Sequence, residues 1–220
     1  MASLRGVPPG RAGRLWLIRR LCTGRLAADL LDRKLRILLA EHERLRRVTG
    51  PAEAEWRNSW RAADAWALRG TVLAGQRELR LAASTRWAEI SVEWVNVMGI
   101  RYPRAARCTV PEQPGDARSP GSGALVEAAA AYRTALSAAA AHAAADRARE
   151  IMAAEIGDTR RRLHALADRW VPRLEAALHE RIHRLAADEL AETERLRWAA
   201  GQGGRITDFR PADTGPTHRS

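Results

Sequence analysis

Apolar residues recur along the first third of the chain in alternating steps of three and four residues. The positions are Leu17, Leu21, Gly24, Ala28, Leu31, Leu35, Leu38, His42 and Leu45. This is the heptad spacing of a helix that packs along a second helix. A weaker continuation, richer in small and polar side chains, is Thr49, Ala52, Trp56, Ser59, Ala63, Trp66, Gly70 and Leu73. The pattern predicts an N-terminal coiled-coil helix within residues 1–81, and we call these positions the seam.

The pair Gly50-Pro51 interrupts this pattern. Proline has no backbone N–H, and its ring clashes with the helix one turn back. We therefore expect a kink or a break near Thr49. His42 lies on the seam, where we interpret it as a tolerated core polar residue and not as a ligand.

The hydrophobic period changes to about two residues over Glu89–Val97, which puts Ile90, Val92 and Trp94 on one face of a strand. A glycine at position 99 separates this segment from a second extended one, Ile100–Val110. Residues 82–123 are therefore predicted to hold a short β-hairpin that turns at this glycine.

Two further features of this central region concern its prolines. Pro103 has no amide donor, so we expect it at an edge or a bulge of the hairpin. The stretch over residues 111–123 is rich in Pro, Gly and Ser, and its turn chemistry predicts a mobile loop.

A second helical segment is predicted over residues 124–200. Its first part includes Ala138–Ala145, which is interrupted only by His142 and which favours helix strongly. The small side chains either let a partner helix approach closely or give a thin helix with little hydrophobic contact, and both interpretations fit the sequence equally well. Farther on, leucines recur every eleven residues, a spacing that drifts oppositely to a heptad; they are Leu163, Leu174, Leu185 and Leu196. Residues 201–220 lose the pattern, and we interpret them as a disordered tail. The predicted fold class is mostly α, a long antiparallel two-helix coiled coil with a short central β-hairpin insertion.

The formal net charge of +11 would ordinarily suggest nucleic acid, anionic lipid or an acidic protein as partner. Lys34 is the only lysine among the 37 basic residues, and acidic residues are interspersed along both helical segments.

Cys22 and Cys108 lack CxxC spacing, so neither a disulfide framework nor a thiolate metal site is indicated, and we expect reduced thiols in the cytoplasm. The apolar run Leu15–Ile18 is far shorter than the ~20 residues that span a bilayer.

One string suggests catalysis. His179-Glu180-Arg181-Ile182-His183 fits H-E-x-x-H, in which two imidazoles on one helix face bind zinc and the glutamate acts as a base. The metzincin extension is missing, because Ala186 and Glu189 stand where glycine and histidine are required. We interpret the string as chance in a charged helix. No catalytic residue, cofactor or metal is expected.

Several strings together resemble one family. Thr159-Arg160-Arg161-Arg162-Leu163-His164-Ala165-Leu166, with Pro172-Arg173-Leu174-Glu175, resembles the C-terminal signature of the D subunit of the V-type and A-type ATPases, the central rotor stalk. Val7-Pro8-Pro9-Gly10-Arg11 is similar to that family's V-x-P-T-R, with Gly10 where threonine is usual. Leu30-Leu31-Asp32-Arg33-Lys34 is similar to L-L-x-x-K, and Asn96-Val97-Met98-Gly99 with Pro103 resembles N-x-x-G…P.

The resemblance implies a non-catalytic shaft. Its helices would enter the hexamer of A and B subunits, and its central part would meet the small F subunit of the rotor and the subunit that caps the membrane ring. We expect a cytoplasmic protein, peripheral on the membrane, with no membrane insertion and no nucleic acid partner. The residues expected at subunit interfaces are Val7, Pro9, Arg11, Leu31, Lys34, Asn96, Gly99, Pro103, Arg160, Arg161, Arg162, Leu166, Pro172, Arg173 and Glu175. Arg160, Arg161, Arg162 and Arg173 are predicted to form a basic bearing against acidic loops. The alternative is a basic coiled-coil adaptor that binds nucleic acid or anionic membrane.

Overall fold

The fold was analysed in a computed structural model that describes residues 6–82, 87–111 and 122–206. Along the chain, helix α1 is followed by a two-stranded hairpin and then by two helices that a short π-helical turn separates. The elements are α1 Gly10–Ala82, β1 Glu89–Val97, β2 Ile100–Thr109, α2 Gly123–His164, the π-turn Ala165–Trp170 and α3 Val171–Ile206.

The chain divides into two compact units. The terminal unit holds Met1–Ala28 and His164–Ser220, and the central unit holds Asp29–Leu163. In each unit, α1 packs against a helix from the C-terminal half of the chain. As the residue numbers rise along α1, the numbers of the residues it contacts on that helix fall. The terminal unit pairs Arg11 with Glu189 and Arg25 with Glu175.

The central unit shows the same antiparallel order. Lys34 is paired with Glu155, and the Thr49 hydroxyl approaches the Ala145 carbonyl at 3.4 Å. Each unit therefore contains an antiparallel pair of helices. The predicted fold class, mostly α with a two-helix coiled coil and a short central β-hairpin, is confirmed.

The core of the central unit lies where the hairpin packs on both helices. Leu38 and Leu45 of α1 meet Ala148, Met152 and Ile156 of α2, and Ile100 and Tyr102 of β2 cover them. Leu38 and Met152 are completely buried. Burying a side chain of this size contributes about 1.5–3 kcal/mol. The hairpin is thus part of the hydrophobic core.

The core of the terminal unit is smaller. Leu17 and Leu21 of α1 pack against Leu174 of α3, with Trp16 and Trp170 half-buried at the edge. The segment that precedes α1 lies close to Gly13. A Cβ at this position would lie 2.1 Å from the Pro8 carbonyl oxygen, so the position requires glycine.

The predicted seam on α1 is confirmed over most of its length. Every seam position from Leu17 to Gly70 is buried or half-buried. Leu73 is the exception, because it is 74% exposed. Two residues later, Gly75 has φ 80° and ψ 161°, values that no helix contains, and α1 is kinked there. The seam therefore ends where the helix loses its regular geometry.

A kink or a break was expected near Thr49, and the backbone angles show no break there. The backbone keeps helical dihedral angles through Gly50 and Pro51. Arg47, whose carbonyl loses its amide partner at Pro51, is exposed, as are Gly50 and Pro51 themselves. Because water reaches this face of the helix, the carbonyl is solvated and the helix continues.

The hairpin turns at the predicted glycine. β1 and β2 pair antiparallel, with Val97 opposite Ile100. Met98 and Gly99 between them have φ of 53° and 84°. Positive φ at both central residues is typical of a type I′ turn, which matches the strand twist.

The register shifts once, between Glu93 and Trp94. Glu93 pairs with Ala105 and Trp94 with Pro103, so Arg104 is the extra residue of a β-bulge. Pro103 adjoins that bulge, as expected for a residue without an amide donor.

The end of α3 corrects one boundary. The helix continues to Ile206, six residues beyond the predicted end at Ala200. Each glycine lowers helix propensity by about 1 kcal/mol, but an existing helix adds turns without a new nucleus. The rest of the predicted tail and residues 112–121 of the predicted loop lie outside the described residues. No helix in the described part of the chain is long and apolar enough to cross a bilayer.

Candidate interaction surfaces

The densest basic cluster lies at the end of α2. Thr159 is buried, whereas Arg160, Arg161 and Arg162 are exposed. Successive helical residues point about 100° apart, so one buried position directs the next three toward solvent. Arg161 forms an ion pair with Asp158. In the described part of the chain, no carboxylate lies within 4.0 Å of the guanidinium of Arg160 or Arg162.

The fourth arginine of the predicted bearing, Arg173, belongs to the terminal unit. It is exposed, as is Pro172 beside it, whereas Leu166 is half-buried. Glu175 accepts a 2.6 Å hydrogen bond from Arg25 and so joins α3 to α1. The predicted bearing is therefore divided between the two units, and each part presents exposed guanidinium groups.

The π-turn Ala165–Trp170 contains Leu166 of the motif and ends two residues before Pro172. The Val171 amide donates to the Leu166 carbonyl, five residues back. The signal in the sequence is Pro172: it supplies no N–H to residue 168, and its ring crowds that carbonyl. Widening the helix by one residue is one way to relieve such crowding, and heptad spacing does not reveal it.

The predicted N-terminal contacts are placed close to the terminal core. Val7 packs against the cluster of Leu17, Leu21 and Leu174. Pro9 is exposed and directly precedes α1. Arg11 donates a 2.9 Å hydrogen bond to Glu189, with both side chains largely exposed.

Lys34, the sole lysine, forms an ion pair between two helices of the protein. The Lys34 Nζ donates to the Glu155 carboxylate at 2.8 Å, and both side chains are about one quarter exposed. Leu31, from the same motif, is half-buried on the seam. The Lys34–Glu155 pair therefore joins α1 to α2 in the central unit.

The central motif surrounds the tip of the hairpin. Asn96 is exposed and pairs with Arg101 across the strands, whereas Gly99 supplies the turn. Pro103 is buried. Of these three predicted interface residues, Asn96 and Gly99 are accessible from outside.

A polar network that the sequence patterns do not reveal ties the hairpin to α1. The Tyr102 hydroxyl donates to the Glu41 carboxylate at 2.6 Å, and Arg44 donates to the same carboxylate at 2.6 Å. The hydrogen bond from Arg44 lowers the pKa of Glu41 below its ordinary value. Burial raises the pKa of Tyr102, and the neighbouring Glu41 adds to the rise.

The outward face of the hairpin is apolar. Ile90, Val92 and Trp94 share one face, as predicted, and that face is exposed. The Arg101 guanidinium lies 5.0 Å from the centroid of the Trp94 ring, a cation–π geometry. Val95 and Val97, on the other face, pack into the central core.

The H-E-x-x-H string lies on the solvent side of α3. His179, Glu180 and His183 all have solvent-accessible side chains, and Glu180 forms an ion pair with Arg184. Among the described residues, no group of three or more His, Cys, Asp or Glu side chains is arranged to hold a metal ion.

Paired antiparallel helices, an inserted hairpin and arginine-rich outer faces define the class of this chain as a two-helix coiled-coil protein. A family model for the D subunit of ATP synthase matches residues 16–200. The match covers most of the 220 residues, and the chain belongs to the ATP synthase D-subunit family. It is a stalk subunit of a rotary ATPase. No curated protein matches the chain.

Proposed function

We propose that this chain is the non-catalytic central rotor shaft of a V/A-type ATPase or ATP synthase. It transmits torque between a hexamer of A and B subunits and the proton- or sodium-translocating membrane ring. The family match over residues 16–200 carries this proposal. The small F subunit and the subunit that caps the ring are the proposed partners of its central part, and its place is peripheral, on the cytoplasmic side of the membrane.

The packing of the helices supports a mechanical role. A shaft resists bending when its helices are joined side by side, and here apolar contacts and ion pairs join them. Lys34 with Glu155 in the central unit, and Arg25 with Glu175 in the terminal unit, bridge the early and late helices. The core of the central unit includes the hairpin, so the hairpin is anchored to the helices that carry the load.

The exposure of Arg160 and Arg162 supports the proposal that these arginines form a basic bearing. Arg160 and Arg162 are exposed and have no carboxylate partner within 4.0 Å in the described part of the chain. Guanidinium groups on a solvated surface form weak and reversible ion pairs, each worth about 0–1 kcal/mol. Such contacts hold a shaft in position without locking it to one acidic loop.

Purification of the tagged full-length chain from its own cells tests the proposal. The expected result is recovery of A, B and F subunits, with ATPase activity, from the membrane fraction. Recovery of nucleic acid or anionic lipid without these subunits, and binding that falls steeply with salt, would instead support the adaptor.

Charge reversal tests the bearing. The double variant Arg160→Glu with Arg162→Glu is expected to reduce coupling between ATP hydrolysis and ion transport. Arg77→Glu, at an exposed position near the C-terminal end of α1, serves as the control. Normal assembly and coupling in the double variant would exclude a bearing at these arginines.

A further inference from the structure

The buried positions of α2 and α3 do not follow one regular spacing. In α2, Met152, Ile156 and Thr159 are buried and are separated by steps of four and three, the spacing of a heptad. In α3, Leu174 is completely buried in the terminal core, whereas Arg173 beside it is exposed. The number of residues between Thr159 and Leu174 decides whether one regular helix explains both burials.

An uninterrupted heptad does not connect these positions. Leu174 lies fifteen positions after Thr159, one more than the fourteen of two heptads. Continued from Thr159 in steps of four and three, a heptad instead reaches Leu163, Leu166, Trp170 and Arg173. The chain therefore contains one residue more than a regular helix needs to bury both Thr159 and Leu174.

The π-turn Ala165–Trp170 is the part of the helix that can hold an extra residue. The Val171 amide donates to the Leu166 carbonyl five residues back, whereas the amides of an α-helix donate four residues back. A single π-turn inside a helix thus takes up one residue more than an α-helical turn does. The location of the π-turn, between Thr159 and Leu174, agrees with the change in spacing.

The side chains of the π-turn are only partly packed. Ala165, Asp168 and Arg169 are exposed, and the other three residues of the turn are half-buried. Trp170, at its end, packs on the terminal core, and a Cβ added to Gly24 of α1 would lie 3.7 Å from Trp170 Cδ1, at ordinary contact distance. A residue removed from the first part of this turn therefore takes no completely buried side chain with it.

We propose that the π-turn is a phase-correcting element, which takes up one extra residue and so directs Leu174 into the terminal core and Arg173 toward solvent. In a regular heptad the buried position would belong to Arg173, and burial of an unpaired guanidinium is costly. The π-turn thereby positions one of the arginines of the predicted bearing. The correction is a property of the chain itself, so its test does not depend on the proposed function.

Deletion of one residue from the π-turn is expected to restore a regular seam. With Ala167 deleted, a heptad continued from Thr159 reaches only apolar residues, which are Leu163, Leu166, Val171, Leu174 and Leu178. Val171 and Leu178 already pack against the terminal core. Pro172 would then lie inside a regular helix, where its ring clashes with the preceding turn, so the deletion is combined with Pro172→Ala.

The experiment uses the full-length chain and three variants. The first combines deletion of Ala167 with Pro172→Ala, and the second carries Pro172→Ala alone. The third, a matched control, lacks the exposed Ala154 in the regular part of α2. Thermal unfolding followed by circular dichroism measures stability. Hydrogen exchange, measured by mass spectrometry on peptides that cover residues 165–172, reports on the π-turn.

The first variant is expected to melt within ~3 °C of the unmodified chain. Deletion of Ala154 puts Ile156 and Thr159 out of step with Met152, and it is expected to lower the melting temperature by ~10 °C or more. Exchange over residues 165–172 is expected to be about tenfold slower in the first variant, because regular α-helical hydrogen bonds replace the wider turn. With Pro172→Ala alone, exchange is expected to stay fast, because the extra residue is still present.

Two results would overturn the inference. If the first variant loses as much stability as the chain without Ala154, the π-turn contains no residue in excess of the seam. If Pro172→Ala alone slows exchange as much as the first variant does, the proline, and not the number of residues, causes the π-turn.

Discussion

The Tyr102 hydroxyl donates a 2.6 Å hydrogen bond to the Glu41 carboxylate, across 61 positions of the chain. The contact joins the hairpin to α1 at the edge of the central core, where Tyr102 is 1% exposed. Tyr102→Phe keeps the ring and removes the donor. Because a hydrogen bond to a charged group contributes about 1.5–3 kcal/mol, and Arg44 still satisfies Glu41, we expect a loss of ~1–2 kcal/mol.

Chemical denaturation of the full-length chain measures this loss. Tyr132→Phe is the matched control, since its hydroxyl donates to Asp64 at 3.0 Å in an exposed setting, and the expected loss is less than ~0.5 kcal/mol. Equal losses in the two variants would mean that Tyr102 contributes no more than a surface tyrosine.

The Glu41 carboxylate predicts a dependence of stability on pH. The hydrogen bond from Arg44 lowers the pKa of Glu41 in the folded chain below its ordinary value of 4.5. The folded state therefore favours the ionised form, and this contribution is present above pH 4.5 and is lost as the pH falls through the lowered pKa. Glu41→Gln removes the titrating group. Unfolding free energies measured across the acid range are expected to fall less steeply for Glu41→Gln than for the unmodified chain, and parallel curves would contradict this.

Two adjacent leucines that differ in burial distinguish the stability effect of core packing from that of helix propensity. Leu38 is completely buried in the central core, whereas its neighbour Leu39 is 37% exposed. Leu38→Ala leaves a cavity and is expected to lower the free energy of unfolding by about 2–5 kcal/mol. Leu39→Ala, measured in the same denaturation assay, is expected to cost less than ~1 kcal/mol, since alanine is an excellent helix former. Similar costs at both positions would show that the core does not lie on the seam.

Two ion pairs between helices differ in burial, and they test whether the more buried pair contributes more to stability. Lys34 and Glu155 are about one quarter exposed, whereas Arg11 and Glu189 are 82% and 63% exposed. Solvent screens exposed pairs, so we expect a coupling of about 0.5–1 kcal/mol for Lys34 with Glu155 and nearly zero for Arg11 with Glu189. Double-mutant cycles with Lys34→Met, Glu155→Gln, Arg11→Met and Glu189→Gln measure both values. A larger coupling for the exposed pair would refute the ranking.

The seam and the hairpin were predictable because local rules determine them. Heptad spacing identifies the buried side of α1 from Leu17 to Gly70, and Met98-Gly99 between two β-branched segments identifies the turn. These features depend on residues that are near one another in sequence.

Other features depend on surroundings that spacing does not record. Pro51 was expected to kink or break α1, but it is exposed, so water can reach the carbonyl that loses its amide partner, and the non-helical position lies at Gly75. The link from Tyr102 to Glu41 arises only after the hairpin folds onto the helices.

Two helical glycines that differ in their neighbours give a final test of close helix packing. A Cβ at Gly70 would lie 2.6 Å from Leu125 Cδ2 and 3.1 Å from its Cγ, and Leu125 is 3% exposed, so it has little room to move. At Gly157, the nearest atom to an added Cβ is the flexible end of Arg161, at 3.4 Å. Gly70→Ala is therefore expected to destabilise the chain by about 1–3 kcal/mol through overpacking. Gly157→Ala is expected to stabilise it by ~0.5–1 kcal/mol, because alanine favours helix. Thermal unfolding of both variants checks the opposite signs, and a stabilised Gly70→Ala would mean that α1 and α2 are farther apart at this point than the structure has them.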